Sequence, residues 1–79
     1  MRIEYSKIAV KHINNMDKPT KKRIKEAIEK IPYGDIKKLK GLENEYRLRV
    51  GDLRVLFSIE SDIIVVNNIL PRGQAYKRL

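Results

Sequence analysis

The segment YRLRVGDLRVLF, residues 46–57, constrains this chain more than any other stretch. Two runs of alternating apolar and polar residues flank Gly51-Asp52, and glycine first in a two-residue loop marks a type II′ turn, whose twist matches that of paired strands. A turn there fixes the register: Val50 faces Leu53, Arg49 faces Arg54, Leu48 faces Val55, Arg47 faces Leu56 and Tyr46 faces Phe57. The pairing sorts the side chains. Tyr46, Leu48, Val50, Leu53, Val55 and Phe57 point to a core, while Arg47, Arg49 and Arg54 share the opposite face.

Around this hairpin the chain reads as a small α+β domain. Met1 to Tyr5 alternates as a short strand, and Ser6 is placed to cap a helix that begins at Lys7 and is ended by Asn14, Asn15 and Asp17. Asp17 caps a second helix over residues 18–31, with Pro19 in its first turn and Ile24, Ala27, Ile28 and Ile31 forming one apolar stripe. Lys21, Lys22, Arg23 and Lys25 occupy the rest of that helix and read as a solvated face. Pro32 and Gly34 close it. The stretch DIKKLKGLENE is too charged for a regular element and reads as a loop that Ile36, Leu39 and Leu42 pin to the core. Beyond a turn at residues 60–62, residues 63–70 are apolar on both faces in their first half, as in a central strand. Pro71 ends that strand, and QAYKRL follows as a last helical turn or a tail. The expected fold is an antiparallel-rich sheet of about four strands, with two N-terminal helices packed on one face and residues 1–79 forming one domain.

Composition narrows the chemistry. The sequence has no cysteine and one histidine, His12, which rules out disulfides and thiolate chemistry and gives no ligand set for a zinc centre, so no metal and no cofactor are expected. His12, beside Ile13 on the first helix, reads as a surface or packing residue, and Glu43 and Glu45 read as solvent charges. The N-terminal stretch has no signal-peptide pattern and no apolar run is long enough to span a bilayer; the expectation is a cytoplasmic protein without a membrane partner. A formal charge of +8 favours polyanionic partners.

The arginine face asks for an explanation. Two guanidinium groups about 5 Å apart repel by roughly 0.8 kcal/mol in water and about 3 kcal/mol at an effective dielectric near 20. Either the side chains splay into water or an anion lies between them. Arg72 leaves the end of the last strand, Tyr76 lies four residues beyond, and Lys37, Lys38 and Lys40 lead into the hairpin. Several guanidinium groups with one phenol suit a phosphodiester, which arginine forks bind through its non-bridging oxygens.

In this order of elements, the LKGL loop, the YRLRVGDLRVLF hairpin and the Arg72-x-x-x-Tyr76 ending resemble the RelE family of bacterial and archaeal toxins from type II toxin-antitoxin pairs, over nearly the whole chain. The resemblance implies a toxin that enters the ribosomal A site and cleaves messenger RNA by attack of a ribose 2′-hydroxyl on its neighbouring phosphate. It also implies an acidic or amphipathic antitoxin that silences the toxin. Carried over residue by residue, it assigns Arg54 and Arg72 to charge stabilisation and Tyr76 to orienting the nucleotide or handling a proton. Arg47 and Arg49 stand where the family often has lysine, and Lys37, Lys38 and Lys40 become RNA or ribosome contacts. Arginine is effectively always charged, so a base role inferred from those lysines does not transfer. Two further readings stay open: a non-catalytic toxin of the ParE branch that binds DNA gyrase, and a basic binding module for RNA or an acidic protein.

Overall fold

Ser6 and Asp17 start the two helices. In the computed structural model, which describes residues 2–41 and 44–71, strand β1 (Arg2–Tyr5) runs into helix α1 (Lys7–Asn14) at Ser6. The Ser6 Oγ accepts the Ala9 N–H at 3.0 Å, satisfying one orphan donor of the first turn, and itself donates to the Asn67 carbonyl at 2.7 Å. One hydroxyl thus caps a helix and ties it to a strand sixty-one residues away. Asp17 accepts from the Thr20 N–H and opens α2 (Lys18–Glu29), with Pro19 in the first turn, where a missing N–H costs nothing. The second helix stops at Glu29, short of the expected Ile31, because Pro32 disfavours helical geometry in the residue before it. Ile31 is still buried beside Ile24 and Ile28.

The remaining strands are β2 (Asp35–Lys38), β3 (Glu45–Val50), β4 (Leu53–Glu60) and β5 (Ile63–Pro71), and the sheet order is β1-β5-β4-β3-β2. Only the β1–β5 pair is parallel among these described strands; the rest are antiparallel. Among the described residues five strands form rather than about four, and the extra one is β2, where a loop was expected. A four-residue edge strand needs little apolar pattern of its own: Ile36 pairs with Leu48 and points to the core, while Asp35, Lys37 and Lys38 keep the open edge charged. Leu42, Glu43, Arg72, Tyr76 and the rest of the QAYKRL ending lie outside the described residues.

The hairpin register is the one the turn dictates, from Val50–Leu53 to Tyr46–Phe57. Gly51 has φ +59 and Asp52 is not among the described residues with positive φ, which fits a type II′ rather than a type I′ turn. Leu48, Val55 and Phe57 meet Ala9 and Ile13 of α1 and Ile24 and Ile28 of α2 in one core, closed by Ile64, Val66 and Ile69 of β5. Tyr46 stacks on Phe57 with ring centroids 5.5 Å apart. No helix among the described residues is long and apolar enough to cross a membrane.

A bulge in β5 changes the parity of that strand. Phe57 pairs with Val66 and Leu56 with Asn68, which leaves Asn67 as the extra residue. Ile64 and Val66 point inward before it; after it Ile69 points inward and Leu70 turns to the far face, beside Arg54. Asn67 Nδ2 donates to Ser58 Oγ at 3.1 Å across the ladder, while the Ser6 N–H donates to the Val66 carbonyl at 2.9 Å and His12 Nδ1 to the Ile69 carbonyl at 2.6 Å, so α1 and its cap are held on both sides of the bulge. His12 is half-buried at this contact, within the surface or packing role expected of it. Replacing Ser6 with alanine removes a cap and a strand tie together and should lower stability by about 2 kcal/mol in urea unfolding. A loss below roughly 0.5 kcal/mol would mean the junction is held elsewhere.

Candidate functional site

Two rows of residues cross the sheet on the face away from the helices. Cross-strand partners share a face, so one row runs Lys37, Arg47, Leu56, Asn68 and the other Asp35, Arg49, Arg54, Leu70. The hairpin thus brings Arg47, Arg49 and Arg54 together, with Arg49 directly opposite Arg54. Lys37 joins them. Lys38 pairs with Tyr46 and belongs to the helix side of β2, and Lys40 is exposed in the turn after that strand. Asp35 was missed in the sequence because its strand was; it sits in register with Arg49 and offers a carboxylate on the arginine row.

Burial divides the three arginines. Arg54 is 3% exposed and Arg47 8%, whereas Arg49 is open to solvent. Splaying into water therefore describes Arg49 alone. The Arg54 Nη1 donates to the Leu53 carbonyl at 3.2 Å, and both buried guanidinium groups have further interactions within the chain. Removing a guanidinium from water costs several kcal/mol unless other groups replace its hydration, so these two are held in place by their surroundings. Leu56 and Leu70 flank them and lower the local dielectric, which strengthens the field they project. The result is a buried positive charge at the base of the face and a solvent-exposed fork at its rim.

Two titrating groups elsewhere are shifted. Burial, with Glu29 adding to it, raises the Tyr5 phenol above its ordinary value, and hydrogen bonding from Thr20 lowers the Asp17 carboxyl. Both belong to the helix side of the sheet. Among the described residues no group of three or more histidine, cysteine, aspartate or glutamate side chains is placed to hold a metal ion.

A family profile described as "ParE toxin of type II toxin-antitoxin system, parDE" matches residues 3–76. The chain belongs to this toxin family. Toxin RelE3 of Methanocaldococcus jannaschii is 33% identical to it over 84 residues, covering 96% of each chain. Among solved structures, a RelB-RelE antitoxin-toxin complex from Methanococcus jannaschii superposes with a TM-score of 0.79 at 31% identity, over 96% of this chain and 98% of that one. An archaeal RelE-RelB complex from Pyrococcus horikoshii OT3 gives 0.78 at 28% identity, over 92% and 96%. The two-helix, five-strand architecture is thus the RelE-like toxin fold, and the relatives named RelE place this toxin nearer that branch than the profile's own description does.

A toxin face built to receive an anion should be stabilised by one. Inorganic phosphate at about five times its dissociation constant should add about 1 kcal/mol to unfolding stability beyond sodium chloride of equal ionic strength. Arg49→Ala, at an exposed position, should abolish the excess. Equal effects of the two salts on the wild-type protein would count against an anion site.

Proposed function

We propose that this protein is the toxin of a type II toxin-antitoxin pair and a ribosome-dependent endoribonuclease that cuts messenger RNA in the A site. The observation that carries the reading is the Arg49–Arg54 pair, one guanidinium buried, the other exposed, on the sheet face away from α1 and α2. In the proposed step a ribose 2′-oxygen attacks the adjacent phosphorus and the bond to the 5′-oxygen breaks. The products are a 2′,3′-cyclic phosphate and a 5′-hydroxyl. Negative charge grows on the non-bridging oxygens as the phosphorane forms, and fixed cations stabilise it without reorganising.

Arg54 and Arg72 take that charge, Arg47 backs Arg54 from the neighbouring row, and Arg49 grips the phosphate from the rim. Tyr76 orients the nucleotide by stacking and, through its hydroxyl, is the candidate to move a proton. Lys37, Lys38 and Lys40 supply contacts to RNA backbone. None of the arginines serves as general base at neutral pH, so alignment by the ribosome carries more of the barrier. The reading takes residues 1–79 as one working domain in the cytoplasm. The two archaeal relatives solved with RelB support a cognate antitoxin, whose docking segment would mix apolar residues with carboxylates that meet the basic face.

The profile's ParE description supports a second reading, in which the protein binds DNA gyrase and cuts nothing. Programmed ribosomes separate the two. Messenger in the A site should be cut, naked RNA hardly at all and DNA never, with products ending in 5′-hydroxyl and 2′,3′-cyclic or 3′-phosphate and with no divalent metal required by the toxin. Arg49→Ala should lower the single-turnover rate by about 10²-fold. Arg54→Lys, checked for folding by circular dichroism because the site is buried, should lose at least as much. Intact ribosome-bound messenger together with growth arrest would favour the gyrase reading.

A further inference from the structure

A second concavity opens where the sheet ends near Gly51. It lies between α2, the connection from α2 to β2 and the end of β3, and encloses about 320 Å³. Three cations line it: Arg23 from α2, Lys30 at the C-cap of that helix and Arg49 from β3. Tyr33 stands at its wall and is 78% exposed, the most exposed large hydrophobic side chain among the described residues. Glu26 and Asp35 add carboxylates. Arg49 belongs both to this groove and to the arginine row, so the two sites are continuous around the end of the sheet.

Two glycines shape the floor. A Cβ on Gly34 would stand 3.1 Å from the Leu48 side chain, and one on Gly51 would stand 3.2 Å from Arg23 Nη2. Both residues have positive φ, at +133 and +59, where other side chains are strained. The backbone therefore leaves room for the Arg23 guanidinium to lie over the β3–β4 turn, and keeps the groove open beside Tyr33. An exposed ring between cations matches the chemistry of single-stranded nucleic acid: the ring offers a stacking surface to any base, the cations meet phosphates, and a carboxylate accepts from base N–H groups.

We propose that this groove is a nucleotide subsite, in which a base of single-stranded RNA flanking the cut stacks on Tyr33 while Arg23 and Lys30 meet its backbone phosphates. This deepens the RNA-cleaving reading and rests on it for the identity of the strand. The RNA would pass from the arginine row over Arg49 into the groove. Arg23, left on a solvated helix face by the sequence pattern, becomes a ligand contact because α2 packs against the end of the hairpin.

The test uses a short single-stranded RNA, 2′-O-methylated throughout so that it cannot be cut and carrying 4-thiouridine for crosslinking. Tyr33→Ala should weaken binding about tenfold at low salt, and Tyr33→Trp should restore it. Crosslinks should map to the peptide containing Tyr33. Arg23→Gln should reduce the slope of log K against log salt by about 0.7, the share of one phosphate contact on a single strand. Unchanged affinity in Tyr33→Ala, with crosslinks elsewhere, overturns the subsite, as does a Tyr33→Ala defect confined to an acidic peptide of equal length. Failure of the two readings is distinguishable: wild-type protein that binds through Tyr33 but cuts no ribosomal messenger keeps the subsite and loses the nuclease. Wild-type protein that cuts while Tyr33→Ala binds normally does the reverse.

Discussion

A positive φ at Gly51 lets two strands meet in one register, and that register decides what lies on each side of the sheet. With Leu48 opposite Val55 and Tyr46 opposite Phe57, one face of the hairpin is apolar enough to receive both helices. The same pairing forces Arg49 against Arg54 on the other. A slip of one residue would exchange the faces, burying the cations under α1 and α2 and exposing the core. The core and the candidate site are therefore two consequences of a single turn.

The β5 bulge extends this arrangement to a third strand. Without Asn67 as an extra residue, the alternation set by Ile64 and Val66 would send Leu70 into the core and Ile69 toward the arginines. Its position is fixed by polar contacts that reach it from two directions, Ser58 across the ladder and Ser6 from the start of α1. The helix cap, the bulge and the floor beneath Arg54 are thus mechanically linked.

Holding Arg47 and Arg54 away from water works against stability in a chain this small. Burial of charge is tolerated where surrounding groups replace hydration, and its return is a charge that does not need to reorient when an anion arrives. Arg49 supplies the complementary property, reach. Its position at the sheet's end also makes it the bridge to the groove at Tyr33, which the end of β3 and the second helix line together.

The sequence alone determined the features that depend on near neighbours. Ser6 and Asp17 as caps, the Ile24–Ile28 stripe, the Gly51-Asp52 turn and the sorting of the hairpin residues all follow from local dihedral preferences and from periods of 3.6 and 2. Together with the Arg72 and Tyr76 ending, they were also enough to carry the resemblance to RelE toxins. Tertiary structure alone decided what depends on distant partners. Residues 35–38 carry one apolar side chain and become a strand only because β3 offers an unpaired edge, which also brings Asp35 opposite Arg49. The Asn67 bulge answers to Ser6 and Ser58, and the unequal burial of three arginines that look alike in sequence is set by the cross-strand neighbours each meets, Leu56 for Arg47 and Leu70 for Arg54. Arg23 and Tyr33 meet Arg49 in one groove because α2 lies across the end of a hairpin formed by later residues. Periodicity carries no information about such pairings, since the energy that fixes them comes from contacts formed after the local elements exist.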